Sequence, residues 1–301
     1  MKTQDKLLIL LDGSERALDA VRYVASVKSF NAMSVVVLFN VYAHLPQSYL
    51  DLERTPESAE EKAHISSWLS GQQNRRVKYM EKAEKILKEG GIAEVKIRIQ
   101  QLTLGVARDI LVEARQEYAA VVMTRRGMGL LAGLPVGSVA NKLLQKMSFA
   151  PIILAAEKAS SDRVLIAVDG SSDARRAVIF AGEMLGRGHQ IGLIHVIRNL
   201  PGTDFMMTSA DIRQAKAEME DAFLKMKARL EQSGIRPEDI SLKIIDDSGS
   251  RAGAILQEAV EGSYDTIILG RKGLSKVSDF SMGRVSTKIV QMADRHAVWL
   301  V

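Results

Sequence analysis

The chain repeats itself, and a duplicated sequence is constrained to fold as two similar units placed side by side. Leu7-Leu8-Ile9-Leu10-Leu11-Asp12-Gly13-Ser14 returns as Val164-Leu165-Ile166-Ala167-Val168-Asp169-Gly170-Ser171, each time an apolar run closed by Asp-Gly-Ser. The stretch from Tyr118 to Gly127 returns from Tyr264 to Gly273, and the same spacing of 146 residues carries Gly137 onto Gly283, Val139 onto Val285, Lys142 onto Lys288 and Gln145 onto Gln291. The closing run Pro151-Ile152-Ile153-Leu154-Ala155 lands on Ala297-Val298-Trp299-Leu300-Val301. With 301 residues in all, each half can bury its own core. The expected division is a first domain over 1–156, a short polar linker over 157–162 and a second domain over 163–301. So short a linker keeps the halves in contact.

Within each half, short β-rich runs alternate with segments of helical period. In the first copy strands are expected near 6–11, 34–41, 94–100, 119–124 and 151–155. Five strands per half separated by helices predict an α/β fold of two tandem doubly wound domains, each a mostly parallel sheet with helices on both faces. A helix capped by Ser14 places Ala17, Leu18, Val21, Val24 and Ala25 on one face, and Ser171 repeats the device with Ala174, Ala177, Val178, Ala181 and Leu185. The second helix of the first copy turns Tyr79, Ala83, Ile86 and Leu87 inward and stops at Gly90-Gly91; its counterpart stops at Gly234. The polar stretches His44 to Gln73 and Arg198 to Ala210 are expected to be loops or short helices over the rim of the sheet.

Composition removes several classes of function. There is no cysteine, so disulfides, thiolate metal sites and cysteine nucleophiles are out. The longest apolar runs, Val35 to Phe39 and Ile152 to Ala156, fall far short of the roughly 20 residues a membrane helix needs, and no membrane partner is expected. The first residues lack the pattern of a secretory signal, which points to the cytoplasm. The net charge of +5 is spread along helices in runs such as Glu81-Lys82-Ala83-Glu84-Lys85, and aromatics make up only 5%, so no nucleic-acid partner is expected. His44, His64, His189, His195 and His296 show no metal-ligand spacing, and neither a Gly-x-Ser-x-Gly elbow nor a Walker A loop is present. The pair Asp246-Asp247 either holds a cation or adds negative charge ahead of the helix starting near Ser250, the second being the ordinary use.

In open α/β sheets a ligand sits beyond the carboxyl ends of the strands. Two clusters lie there. One is Asp12-Gly13 with its counterpart Asp169-Gly170; the other is the glycine-bearing loop after the fourth strand, which runs to Gly137 or Gly283. Glycines in such a loop let backbone N–H groups approach phosphate oxygens, and the following helix N-terminus adds partial positive charge. The plainer reading is a tight turn and a helix cap. The recurrence of the same arrangement beside an Asp favours a ligand site.

Strand one ending in Asp, then Gly-x-x-Gly after strand four, nine residues and Gly-Ser or Gly-Thr, resembles the ATP-binding pattern of the universal stress protein family, over nearly the whole chain and in both copies. That resemblance implies an adenine nucleotide alpha hydrolase-like fold and ATP, alone or with Mg2+, as ligand. It implies contacts to the nucleoside from the Asp and from a Val ending strand two, and to the phosphates from the glycine loop and Gly-Ser turn. The carried positions are Asp12, Val41, Gly127, Gly137, Ser138 and Val139 in the first copy, and Asp169, Val196, Gly270, Gly273, Gly283, Arg284 and Val285 in the second. Each copy departs from the pattern once. Thr124 stands where the opening glycine belongs in the first copy, and Arg284 replaces the hydroxyl residue in the second, either to contact a phosphate or to pair with an acid such as Asp279. The family reading implies an ATP-binding stress-response protein that senses nucleotide or hydrolyses it slowly, with no catalytic residue assigned. The alternative is an interaction module that has lost its nucleotide. The resemblance also implies pairing of the two halves through their last strands, with association into a homodimer or larger homo-oligomer left open.

Overall fold

The computed structural model describes residues 6–33, 35–42, 59–127, 135–157, 160–198, 208–247, 249–274 and 281–301. In the first copy, β1 (Lys6–Leu10), β2 (Val35–Tyr42), β3 (Val95–Gln101), β4 (Ala120–Thr124) and β5 (Ile152–Ala155) alternate with α1 (Leu18–Ser26), α2 (Ala59–Glu89), α3 (Val106–Ala114) and α4 (Ser138–Lys146). The second copy has β6 (Arg163–Ala167), β7 (Gln190–Arg198), β8 (Ile240–Asp247), β9 (Thr266–Leu269) and β10 (Ala297–Leu300), with α5 (Ser172–Met184), α6 (Ser209–Gln232), α7 (Arg251–Glu261) and α8 (Arg284–Met292).

Among the described residues the ten strands make one sheet, in the order β3-β2-β1-β4-β5-β10-β9-β6-β7-β8. Read outward from its centre, that order is the same in both directions. Neighbours within each copy run parallel, whereas β5 and β10 meet antiparallel, with Ile153 opposite Trp299. The halves are therefore joined as an internal pseudo-dimer, and no strand edge is left open between them.

Strand alternation sorts the apolar side chains onto two faces. Leu7 and Ile9 pack with α1, α2, α5 and α6 in one core, while Leu8 and Leu10 pack with α3, α4, α7 and α8 in the other. Trp299 of β10 is fully buried at the seam, its ring 5.9 Å from Phe30 of the first copy and 5.8 Å from Phe180 of the second. Its indole N–H donates to Tyr23 Oη at 2.8 Å, and Tyr23 Oη lies 2.9 Å from Thr266 Oγ1.

Two local expectations change. The segment from His44 to Gln73, expected as loops or short helices, is from Ala59 onward the first half of the 31-residue helix α2, while 43–58 lie outside the described residues. Polarity suggests a loop, yet Glu, Lys, Ala and Gln are good helix formers, and no proline follows Pro56 there. In the second copy α6 begins at Ser209 behind a capping box between Thr208 and Asp211, so the expected loop ends where the helix starts. The other change concerns Ser14. Ser171 caps α5 as expected, its Oγ accepting from Ala174 N at 3.1 Å. Ser14 Oγ accepts from Ala17 N at 3.1 Å, but residues 14–20 form successive i to i+3 turns and α1 begins only at Leu18.

Candidate functional site

Within each copy the parallel strands deliver all their carboxyl ends to one edge of the sheet. The first residues there are the two aspartates. Asp12 Oδ1 accepts from Ser14 N at 3.0 Å and from Ser14 Oγ at 2.7 Å, over a turn that needs Gly13 at φ +89°. Asp169 Oδ1 accepts from Ser171 N at 3.0 Å over Gly170 at φ +79°, and its Oδ2 accepts from Leu274 N at 3.1 Å.

The peptide carrying each aspartate is held from the next strand. Asn40 of β2 is buried, and its Nδ2 donates to Leu11 O at 2.7 Å. At the matching position of β7, His195 Nδ1 lies 2.7 Å from Val168 O. A carbonyl only accepts, so this nitrogen carries the proton. Burial pushes the His195 pKa below its ordinary value, and the nearby charge of Arg251 acts the same way against the opposing bond to Val168. Neither residue figures among the sequence-derived candidates. The available signal was a single polar residue in an otherwise apolar strand, Leu38-Phe39-Asn40-Val41 and Leu193-Ile194-His195-Val196.

The glycine loops come down onto the aspartates. A Cβ built on Gly127 would lie 2.0 Å from Asp12 Oδ2, and one built on Gly273 would lie 2.4 Å from Asp169 Oδ2. At both positions a side chain would have to displace the carboxylate. Gly137 N donates to Arg125 O at 2.8 Å and Gly283 N donates to Arg271 O at 2.7 Å, so the second glycine of each copy folds back on the loop holding the first. Gly137 and Gly283 are the N-caps of α4 and α8. The first intrahelical bonds are those of Asn141 N to Gly137 O and Thr287 N to Gly283 O. The preceding N–H groups, at Ser138, Val139 and Ala140 and at Arg284, Val285 and Ser286, thus belong to the helix turn that leaves donors free for an anion. Ser138 and Arg284 are exposed; Val139 and Val285 are half-buried. Val41 is half-buried near the end of β2, and Val196 is buried, its carbonyl accepting from Arg251 Nε at 3.3 Å.

Two repeat-related positions, Thr124 with Gly270 and Arg125 with Arg271, differ from a simple phosphate-loop picture. Gly270 faces the protein: its Cβ would lie 2.6 Å from Asp173 Cβ and 2.9 Å from Ala174 N, so the glycine makes room for the first turn of α5. Thr124, at the matching position, has a Cβ that the same arrangement would exclude, and α1 correspondingly starts late. Arg125 and Arg271 turn inward rather than lending charge to the loop surface: they are 6% and 5% exposed and donate to backbone carbonyls of the opposite copy. Burial draws each guanidinium down to about 10, still charged at neutral pH. Asp279 lies outside the described residues.

The universal stress protein family model matches residues 4–153 and again 160–300. A Thermus aquaticus protein described as "Universal stress protein in QAH/OAS sulfhydrylase 3'region" is 31% identical over 135 residues, 43% of this chain and 91% of that protein. Among solved structures, a universal stress protein from Archaeoglobus fulgidus superposes with a TM-score of 0.66 at 18% identity, covering 100% of this chain and 98% of its own. A second, described as a putative universal stress protein of Pseudomonas aeruginosa UCBPP-PA14, gives 0.58 at 14% identity over 99% and 93%. At such identities these two structures speak for the shared fold.

Proposed function

The chain belongs to the universal stress protein family, and from that membership we propose that it is an ATP-binding stress-response protein that senses nucleotide or hydrolyses it slowly. The observation that carries the reading is the contact between a glycine loop and a strand-end aspartate, made twice, with Gly127 against Asp12 and Gly273 against Asp169. In this reading Asp12 and Asp169, with Val41 and Val196, receive the nucleoside. Gly127 and Gly273 let the loop pass over the carboxylate, and the N–H groups from Ser138 to Ala140 and from Arg284 to Ser286 hold the phosphates. Gly270 shapes the second site by seating α5. Arg284, exposed at the start of α8, adds a charged donor where the first copy has a hydroxyl. Among the described residues no group of three or more His, Asp or Glu side chains is placed to hold a metal, so a Mg2+ would come with the phosphates.

The test is to denature the purified protein, identify any released nucleotide by chromatography and titrate ATP into the emptied protein. A Cβ at Gly137 or Gly283 meets its nearest atom at 3.4 Å, the edge of ordinary contact, and Gly137→Val and Gly283→Val add a branched side chain there to block the turn. Each is expected to remove binding at its own copy. Saturating ATP that gives neither heat nor a thermal shift would transfer the assignment to a nucleotide-free interaction module.

A further inference from the structure

Two buried arginines cross between the copies, and each is tied to both sites at once. The backbone carbonyl of Arg125 holds Gly137 of its own copy, at 2.8 Å. Its side chain reaches the other copy, with Nε donating to Val290 O of α8 at 3.2 Å and Nη2 to His296 O at 2.7 Å. Arg271 mirrors it: its carbonyl holds Gly283 at 2.7 Å, and its Nη1 donates to Leu144 O of α4 at 2.9 Å. The free carbonyls and negative dipole end of a helix C-terminus are the natural seat for such a cation. Helix α8 begins at the second site's turn and α4 at the first, so the loop of each site is strapped to the helix that forms the other.

Elsewhere the two helices are not jammed together. An open cleft of about 340 Å3 lies between them, bounded by the repeat-related pairs Val136 and Met282, Leu144 and Val290. The straps are unequal as well, since Arg271 Nη2 is buried without a partner while Arg125 satisfies two donors across the seam.

We infer that the two nucleotide sites are positively coupled through Arg125 and Arg271, so that occupation of one raises the affinity of the other. This rests on the ATP-binding reading above. A phosphate on the turn from Gly137 fixes the loop beneath it, the loop fixes Arg125, and Arg125 fixes α8 before a second nucleotide arrives. The second ligand then has less ordering to complete. The relation is reciprocal, because Arg271 links the second loop to α4 in the same manner.

The experiment is a calorimetric ATP titration of the emptied full chain. Intrinsic affinities come from Gly283→Val for the first site and Gly137→Val for the second. In the unmodified chain the second nucleotide is expected to bind about fivefold or more tighter than these intrinsic values predict. Arg271→Met keeps an unbranched side chain but removes the donors of one strap, and should lower the coupling factor; combined with Arg125→Met it should bring the factor close to one, whereas Arg271→Lys retains a donor and should restore part of the loss. Thermal unfolding of each variant establishes that it is folded, and Arg125→Lys gives the same comparison from the other strap. Two independent sites in the unmodified chain, or full coupling in folded Arg271→Met, would overturn the inference and leave nucleotide binding standing. A chain that binds no nucleotide overturns both.

Discussion

Replacing Gly127 by alanine tests the site at its tightest point. Its backbone is not in the left-handed region, so the effect is purely one of space. The new methyl would sit 2.0 Å from Asp12 Oδ2, and ordinary contact begins near 3.4 Å, so the carboxylate must withdraw by about 1.4 Å or the loop must lift by as much. Withdrawal strains the bonds that Ser14 N and Ser14 Oγ make to Oδ1 of the same carboxylate, each worth about 0.5–1.5 kcal/mol. A nucleotide hydroxyl that lost its bond to the displaced carboxylate would give up about 1.5–3 kcal/mol, or roughly 10- to 100-fold in affinity. Gly273→Ala places its methyl 2.4 Å from Asp169 Oδ2, so its displacement and its effect should be smaller. Calorimetric ATP titration, with the opposite site silenced by Gly283→Val or Gly137→Val, measures each loss separately. Affinity unchanged by Gly127→Ala would refute the claim that the loop and Asp12 enclose one ligand.

Tyr23→Phe leaves the Trp299 indole N–H without its acceptor in a fully buried position, and should cost about 1–3 kcal/mol in urea unfolding; a change under about 0.5 kcal/mol would mean the seam does not depend on that bond. His195→Asn copies Asn40 of the first copy and removes a group whose folded-state pKa lies below its ordinary value of about 6.5. A depressed pKa gives stability that is full above the unfolded-state value and lost as pH falls through the folded one, so the variant should lose less stability than the parent between about pH 7 and 5. Unfolding midpoints across that range check it, and identical slopes would contradict it. Gly71→Ala, inside α2 with nothing within 4 Å of the added methyl, should stabilise by about 0.5–1 kcal/mol and leave ATP affinity untouched.

Much of the frame was legible because it is written in local chemistry. Apolar runs such as Leu7 to Leu11 and Ile152 to Ala155 read as buried strands, and their repetition gave five strands to each half, though not their order in the sheet. Asp12, Gly13 and Gly127 were legible as candidates because residues of those types after strands are costly unless used. Less visible was anything depending on what lies across the sheet. Gly270 looks the same in sequence whether it faces a phosphate or Asp173, and only packing tells them apart. The inward course of Arg125 and Arg271 leaves no local mark, since nothing in the loop sequence reveals that carbonyls of the other copy accept from them. Asn40 and His195 escaped because they share a position but not a chemistry; what they have in common is a donor nitrogen aimed at the same carbonyl.

The seam itself shows what fusion permits. A dimer of identical chains must be self-complementary, so any residue at its axis appears twice and must suit both places. Here some contacts repeat, with Gly137 on Arg125 matched by Gly283 on Arg271. Others at the seam do not: the counterpart of Tyr23 is Phe180, that of Trp299 is Ile153, and that of Thr266 is Ala120. The hydrogen-bonded set of Trp299, Tyr23 and Thr266 can form only between a first and a second copy, since neither pairs with itself to supply all three groups. A first-copy domain paired with another first copy would present two Tyr23 hydroxyls and no indole donor. Buried polar groups are costly when unmatched, so this set penalises pairing of like copies, first with first or second with second, and favours pairing of a first copy with a second.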